Sequence, residues 1–158
     1  MKAAIYPGTF DPITNGHLDI IKRAVSIFGQ VTVSVVKKSY KGTYFSYPER
    51  LRLVRESTKN IKGVKVEGFG GLVVDFARKR KVKVIVRGLR MISDFEYEFQ
   101  MALTNRNLSP EVETIFLMPH PEYSYISSRL IKEAASLGAD LKKFLPLPVL
   151  KALRGKLK

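Results

Sequence analysis

Five short apolar runs rich in β-branched residues alternate along the chain with segments whose apolar residues recur at helical spacing. The runs are Ala3-Ala4-Ile5-Tyr6, Val31-Thr32-Val33-Ser34-Val35-Val36, Val64-Lys65-Val66, Val82-Lys83-Val84-Ile85-Val86 and Thr114-Ile115-Phe116-Leu117-Met118. Each connection between them is long enough for a crossover that brings the next strand back parallel. The alternation therefore predicts an α/β fold, a single doubly wound Rossmann-like parallel sheet with helices on both faces. With 158 residues and 45% hydrophobic content there is enough for one core and no room for a second. We expect one domain over 1–158, with a helical C-terminal end from about 139, and find no repeats, low-complexity tracts or linker.

The helical segments carry their own boundary signals. Leu18, Ile21, Ala24, Val25 and Phe28 form the first apolar stripe, and Ser46-Tyr47-Pro48-Glu49 is a capping box opening a helix with Leu51 and Val54. Leu72-Val73-Val74-Asp75-Phe76-Ala77 starts the third helix after Gly70-Gly71. Ser93-Asp94-Phe95-Glu96 repeats the capping-box pattern, which predicts a helix to about Asn107 with Phe95, Phe99, Ala102 and Leu103 turned inward. From Ser127 or Ser128 a helix carries Leu130, Ile131 and Ala134 and is closed by Gly138. Pro146 and Pro148 punctuate the approach to a last short helix over 149–153.

Ligands of such sheets bind beyond the carboxyl ends of the strands. Loops 7–16, 37–43, 70–71, 87–90 and 119–128 all leave strands at that end, so Thr9, His17, Lys41, Arg87 and Arg90 fall on one rim. The first loop, Tyr6-Pro7-Gly8-Thr9-Phe10-Asp11-Pro12-Ile13-Thr14-Asn15-Gly16-His17, is the most informative. Its prolines and glycines keep the backbone out of regular structure, and Gly8 and Gly16 leave space for a close ligand. Free N–H groups at the following helix N-terminus favour phosphate, and His17 in the first turn can add a donor. A plain strand-to-helix turn capped by Asp11 or Thr14 fits the same residues. Likewise Arg87 and Arg90 fit surface arginines paired with Asp94 or Glu98. Ser127 and Ser128 fit helix caps, a role compatible with phosphate binding, and His120, between two prolines, reads as a loop residue.

A net charge of +14 suits a nucleic-acid partner, an anionic membrane, a small polyanionic substrate or a highly charged exterior. The densest basic runs, Arg78-Lys79-Arg80-Lys81 with Lys83, and Lys151, Arg154, Lys156 and Lys158, contain no interleaved aromatics and read as solvated faces. Cysteine is absent, which removes disulfides and thiolate metal sites and is compatible with a reducing cytosol. No apolar run approaches the ~20 residues of a membrane span. A cytoplasmic protein is expected.

Gly8-Thr9-Phe10-Asp11-Pro12 followed by Thr14-Asn15-Gly16-His17 resembles the (T/H)xGH signature of the nucleotidyltransferase superfamily, and its wording resembles the bacterial phosphopantetheine adenylyltransferases of coenzyme A biosynthesis. Arg87-Gly88-Leu89-Arg90, Asp94-Phe95-Glu96-Tyr97-Glu98 and Tyr123-Ser124-Tyr125-Ile126-Ser127-Ser128 agree in type and order, so the resemblance runs from Tyr6 to about Leu145. It implies adenylyl transfer from ATP to 4′-phosphopantetheine, giving dephospho-coenzyme A and pyrophosphate. His17 then matches the residue that stabilises the transferring phosphate. Thr9, Phe10, His17, Gly88, Leu89, Arg90, Glu98, Tyr123, Ser124, Tyr125, Ile126, Ser127, Ser128 and Arg129 match ATP-binding positions, and Thr9, Lys41, Val73 and Arg87 match phosphopantetheine-binding ones.

The resemblance further implies Mg²⁺ carried mainly by the ATP phosphates, with no protein side chain as metal ligand, and a homohexamer; no nucleic-acid or membrane partner is expected. Two departures stand out. Many relatives read Asn-Pro-x-Lys where this chain has Lys38-Ser39-Tyr40-Lys41, which loosens the register of Lys41, and Arg129 replaces the small hydroxyl residue that often follows Ile-Ser-Ser. One alternative is another nucleotidyltransferase such as a cytidylyltransferase, although these usually carry Arg-Thr-x-Gly-Ile-Ser-Thr-Thr where this chain has Tyr125-Ile126-Ser127-Ser128. The other is a basic nucleic-acid-binding module.

Overall fold

A computed structural model describes residues 3–40 and 42–156. The strands are β1 (Ala3–Gly8), β2 (Gln30–Val36), β3 (Val64–Phe69), β4 (Val84–Gly88) and β5 (Glu113–Leu117), and the helices α1 (Asn15–Phe28), α2 (Tyr47–Thr58), α3 (Val73–Lys79), α4 (Ile92–Leu108), α5 (Ser128–Ser136) and α6 (Leu147–Lys156). The strands form one sheet in the order β3-β2-β1-β4-β5, all neighbours parallel. Growth of the sheet reverses at β1, so the crevice between the carboxyl ends of β1 and β4 is where the loops diverge to opposite faces.

Alternation along β1 divides the core. Ala4 and Tyr6 join Val31, Val33, Val35 and Val86 beneath α1, α2 and the C-terminal residues Leu145, Val149 and Leu153. Ile5 points the other way and meets Ile85, Phe69, Val74, Phe76 and Val112. Every second side chain changes face, as a pleated strand requires, and both faces are apolar because helices cover both.

Local signals explain most boundaries. In α2 the capping box forms as expected: Ser46 N–H donates to Glu49 Oε2 at 2.7 Å, and Glu49 N–H donates to Ser46 Oγ at 3.5 Å. β3 runs on through Gly68 to Phe69, paired with Val35 and Val36. A side chain at Gly68 would collide with the Tyr47 hydroxyl, so the glycine marks a close approach. In α6 Pro148 lies in the first turn, where no N–H is needed, so the helix begins earlier than 149 and continues past 153. His120 accepts from Glu122 N–H at 3.4 Å at the head of a short 3-10 turn, Pro121–Tyr123.

The expectation for α4 is corrected. The helix starts at Ile92 behind Met91, and Ser93 makes no N-cap. Phe95, Phe99 and Leu103 are exposed and Ala102 is half-buried; the buried residues are Glu98 and Asn105. Apolar residues occur all round this helix, so spacing alone selects no face, and the face turned inward is the one that brings Glu98 to Arg87. Among the described residues, no helix is long and apolar enough to cross a membrane.

Candidate active site

The loop leaving β1 builds the first wall of the crevice. Phe10 adopts the left-handed conformation, φ 50°, with its ring packed edge-on to both Tyr6 and His17 at centroid separations of 5.5 and 5.2 Å. Gly8 makes this possible, since a Cβ there would lie 2.9 Å from atoms of the Phe10 ring.

Thr14 then caps α1, its Oγ1 accepting the His17 N–H at 3.3 Å. In return His17 Nδ1 accepts the Thr14 N–H at 3.0 Å. The usual capping box closes with Glu or Gln at this third position; here a histidine closes it. A backbone donor on Nδ1 leaves the ring proton of the neutral imidazole on Nε2. Burial, followed by the charges of Arg90 and Arg87, lowers the His17 pKa to about 3. His17 thus stands neutral at the positive end of a helix, as a donor. Of the two caps the sequence offers, Thr14 is the one used, and the spacing Thr-x-x-His was its signal.

Opposite lies a pair of arginines. Arg87, at the end of β4, donates from Nε and Nη2 to the two Glu98 oxygens at 2.8 and 2.5 Å, and from Nη1 to Pro7 O at 2.7 Å. Burial works against its charge, but the Glu98 contact outweighs this and holds its pKa above the ordinary value. Arg90 donates to Ile126 O at 2.7 Å and pairs with Asp94 at 3.2 Å. The ion pairs anticipated from sequence are therefore present, yet both guanidinium groups also line the crevice.

Two cavities meet here. The first, about 450 Å³, is lined by Thr9, Phe10, His17, Gly88 and Arg90, with Ile126, Ser127, Ser128 and Arg129 from the segment before and into α5. The second, about 550 Å³, is lined mainly by apolar residues including Leu72, Val73, Tyr97 and Met101. Pro7, Gly8, Thr9, Arg87 and Glu98 belong to both, so the cavities share a wall. Ser127 caps α5 by accepting from Leu130 N–H at 3.0 Å, and Ser128 Oγ donates to Pro12 O at 2.9 Å, tying α5 to the first loop.

Other expected residues stand back from the walls. Leu89 donates its N–H to Leu117 O at 3.0 Å, Tyr123 packs behind Gly16, Ser124 Oγ donates to Pro121 O at 2.9 Å, and exposed Tyr125 meets Phe144 edge-on. Lys41 lies outside the described residues.

Arg50 was not anticipated. The residue is 1% exposed, and its guanidinium donates to Thr9 O, Val36 O and Lys37 O at 2.7, 2.9 and 3.3 Å, gripping the carboxyl ends of β1 and β2. An arginine in a polar helix reads as surface, but residues 50, 53, 54 and 58 share one helical stripe, and all four are buried. Among the described residues no three His, Cys, Asp or Glu side chains gather where a metal ion could be held. The wall carboxylates Asp11 and Glu98 are already engaged by Lys132 and Arg87, so the side chains present do not fit a resident metal.

With this geometry established, the chain can be compared with known proteins. The cytidylyltransferase-like family model matches residues 5–134. The phosphopantetheine adenylyltransferase of Moorella thermoacetica is 57% identical, over 97% of this chain and 96% of that protein. The enzyme of the same name from Thermodesulfovibrio yellowstonii is 52% identical, over 99% and 98%. A solved Vibrio parahaemolyticus protein assigned as a nicotinate-nucleotide adenylyltransferase aligns with a TM-score of 0.72 over 99% of this chain and 94% of that one; at 20% identity it speaks for the fold alone. Identity above one half along nearly the whole length, within a matching superfamily model, makes this chain a member of the phosphopantetheine adenylyltransferase family of nucleotidyltransferases.

Proposed function

We propose that the chain transfers the AMP part of ATP to 4′-phosphopantetheine, giving dephospho-coenzyme A and pyrophosphate. The observation that carries this reading is the shared wall: a polar cavity headed by a neutral imidazole donor opens beside an apolar one, which suits a polyanion meeting a phosphate on a long organic arm.

An oxygen of the pantetheine phosphate, whose second pKa near 6 leaves it largely ionised at pH 7, attacks the α-phosphorus of ATP. A new P–O bond forms there, the bond from the α-phosphorus to the α,β-bridging oxygen breaks, and pyrophosphate leaves with the electron pair. No general base is required. The demand is to hold two anions together and stabilise charge growing on the transferring group. His17 Nε2–H and the α1 N-terminus face that charge, with Thr9 and the Phe10 backbone beside them. Arg90, Gly88 and residues 126–129 line the nucleotide side, Arg87, Thr9 and Val73 the pantetheine side, and Glu98 stands on the wall between them. Mg²⁺ would arrive on the ATP phosphates and neutralise part of their charge.

The same reading includes a homohexamer in the cytoplasm. Support for assembly comes from α4, where Ile92, Phe95, Tyr97, Phe99 and Leu103 stand exposed in the single chain. Light scattering on the purified protein tests it, with a monomeric mass as the contrary result.

Cytidylyl transfer is the second reading, favoured by the description of the matching family model. Incubation with phosphopantetheine and each nucleoside triphosphate, measuring pyrophosphate, separates the two. Release is expected with ATP; release with CTP and none with ATP overturns the proposal.

A further inference from the structure

Asp11 lies on the wall of the polar cavity and is only 5% exposed. A carboxylate facing a site for phosphates repels them, so its place there calls for a compensating role. Its Oδ1 accepts the Phe45 N–H at 2.8 Å, and its Oδ2 accepts the Tyr44 N–H at 2.8 Å and Lys132 Nζ at 2.9 Å. Tyr44 and Phe45 end the loop that leaves β2, and Lys132 stands on α5. One side chain therefore joins the loop after β1, the loop after β2 and the helix that follows β5. At the near end of the β2 loop, Arg50 holds the Val36 and Lys37 carbonyls together with that of Thr9. Between these fastenings, Ser39, Gly42 and Thr43 line the cavity.

We propose that Asp11 is a positioning residue that sets the β2 loop against the reacting groups, and that Lys132 is its counter-charge, cancelling a negative wall that would otherwise repel both substrates. The proposal rests on the reading of this cavity as the place where ATP and phosphopantetheine meet. Asp11 gives the loop two backbone anchors at the expense of one negative charge, and the ammonium on α5 neutralises that charge.

The test uses the full chain as wild type, Lys132→Ala, Asp11→Asn and the double variant. Each is characterised by kcat and KM for ATP and phosphopantetheine, thermal unfolding, and hydrogen exchange at residues 44 and 45. Lys132→Ala leaves the carboxylate its two backbone donors and the field of buried Arg50 but removes its ion-pair partner, and both KM values should rise about tenfold with kcat changed less. Asp11→Asn keeps one acceptor oxygen, so the Tyr44 and Phe45 amides should exchange faster and KM for phosphopantetheine rise a few-fold. In the double variant both KM values should return to the level of Asp11→Asn alone, because no charge is left to cancel. Should the Lys132→Ala loss persist or grow in the double variant, Lys132 touches phosphate itself and the counter-charge role is overturned. Unchanged exchange and unchanged KM in Asp11→Asn would overturn the positioning role. If Asp11→Asn does not fold, Asp11→Glu replaces it, keeping the charge while displacing the amide contacts. A wild type releasing no pyrophosphate from ATP would defeat the reading of the cavity, while the exchange measurements would still report on Asp11.

Discussion

The two sides of the polar cavity are built on opposite principles. On the α1 side the donor is fixed in advance: Nδ1 of His17 is occupied by the Thr14 N–H, which leaves the ring proton on Nε2 of a residue that lines the crevice. On the β4 side the cations are already spent on the protein itself, Arg87 on Glu98 and Pro7 O, Arg90 on Asp94 and Ile126 O. A donor fixed beforehand costs no reorganisation when charge develops, which is what a transition state rewards. A paired arginine still contributes its field and its spare N–H groups while being kept in one orientation by its partners. On the proposed reading, rate would rest on the first side and affinity on the second.

The strongest challenge to that division is His17→Ala. It should lower kcat on the order of 10²-fold or more with ATP affinity little changed, and equal losses in both would make His17 a binding residue like the arginines. Next comes Arg87→Ala, which strands the Glu98 carboxylate. KM for phosphopantetheine should rise roughly tenfold, ~1.4 kcal/mol, and the melting temperature should fall; unchanged substrate affinity would remove Arg87 from the site. Thr14→Val is gentler, because the backbone N–H still holds Nδ1. About 1 kcal/mol of stability should go with the lost cap and kcat should fall only a few-fold. A drop matching His17→Ala would mean that the hydroxyl, and not the backbone, fixes the tautomer.

The last test is with pH, and its readout is stability instead of rate. The folded His17 pKa is about 3, against ~6.5 for an unperturbed histidine. Below about pH 6.5 the unfolded chain takes up the proton first, so this contribution to stability is complete above that pH and declines as pH falls toward 3. Denaturant unfolding at pH 7 and pH 5 should therefore show a larger acid loss in wild type than in His17→Gln. Identical losses would place the imidazole in water.

The architecture was legible because a parallel sheet covered on both sides leaves runs such as Val31-Thr32-Val33-Ser34-Val35-Val36 that admit few other structures. The order of strands was not, since nothing in a strand's own residues names its neighbours; β1 lies between β2 and β4 through packing. The first loop announced its helix cap in Thr14-Asn15-Gly16-His17, the same residues on which the proposed phosphate role rests. Arg50 escaped because composition classes an arginine as solvated, although its helical stripe marked it as buried. In α4 the failure has a different source: with apolar residues on every side no stripe stands out, and the face turned inward carries the polar residues Glu98, paired with Arg87, and Asn105. The pairing of Asp11 with Lys132 joins residues 121 apart in sequence, a distance over which local patterns say nothing.

Gly8 bears on how such a catalyst can vary. The aromatic ring that steadies the imidazole occupies the volume a methyl group at residue 8 would claim. The aim of the donor is consequently set by atoms that are missing, and an alanine there would disturb alignment at the phosphorus while leaving the strand pairing of β1 intact. The bare backbone at this place guards a direction in space.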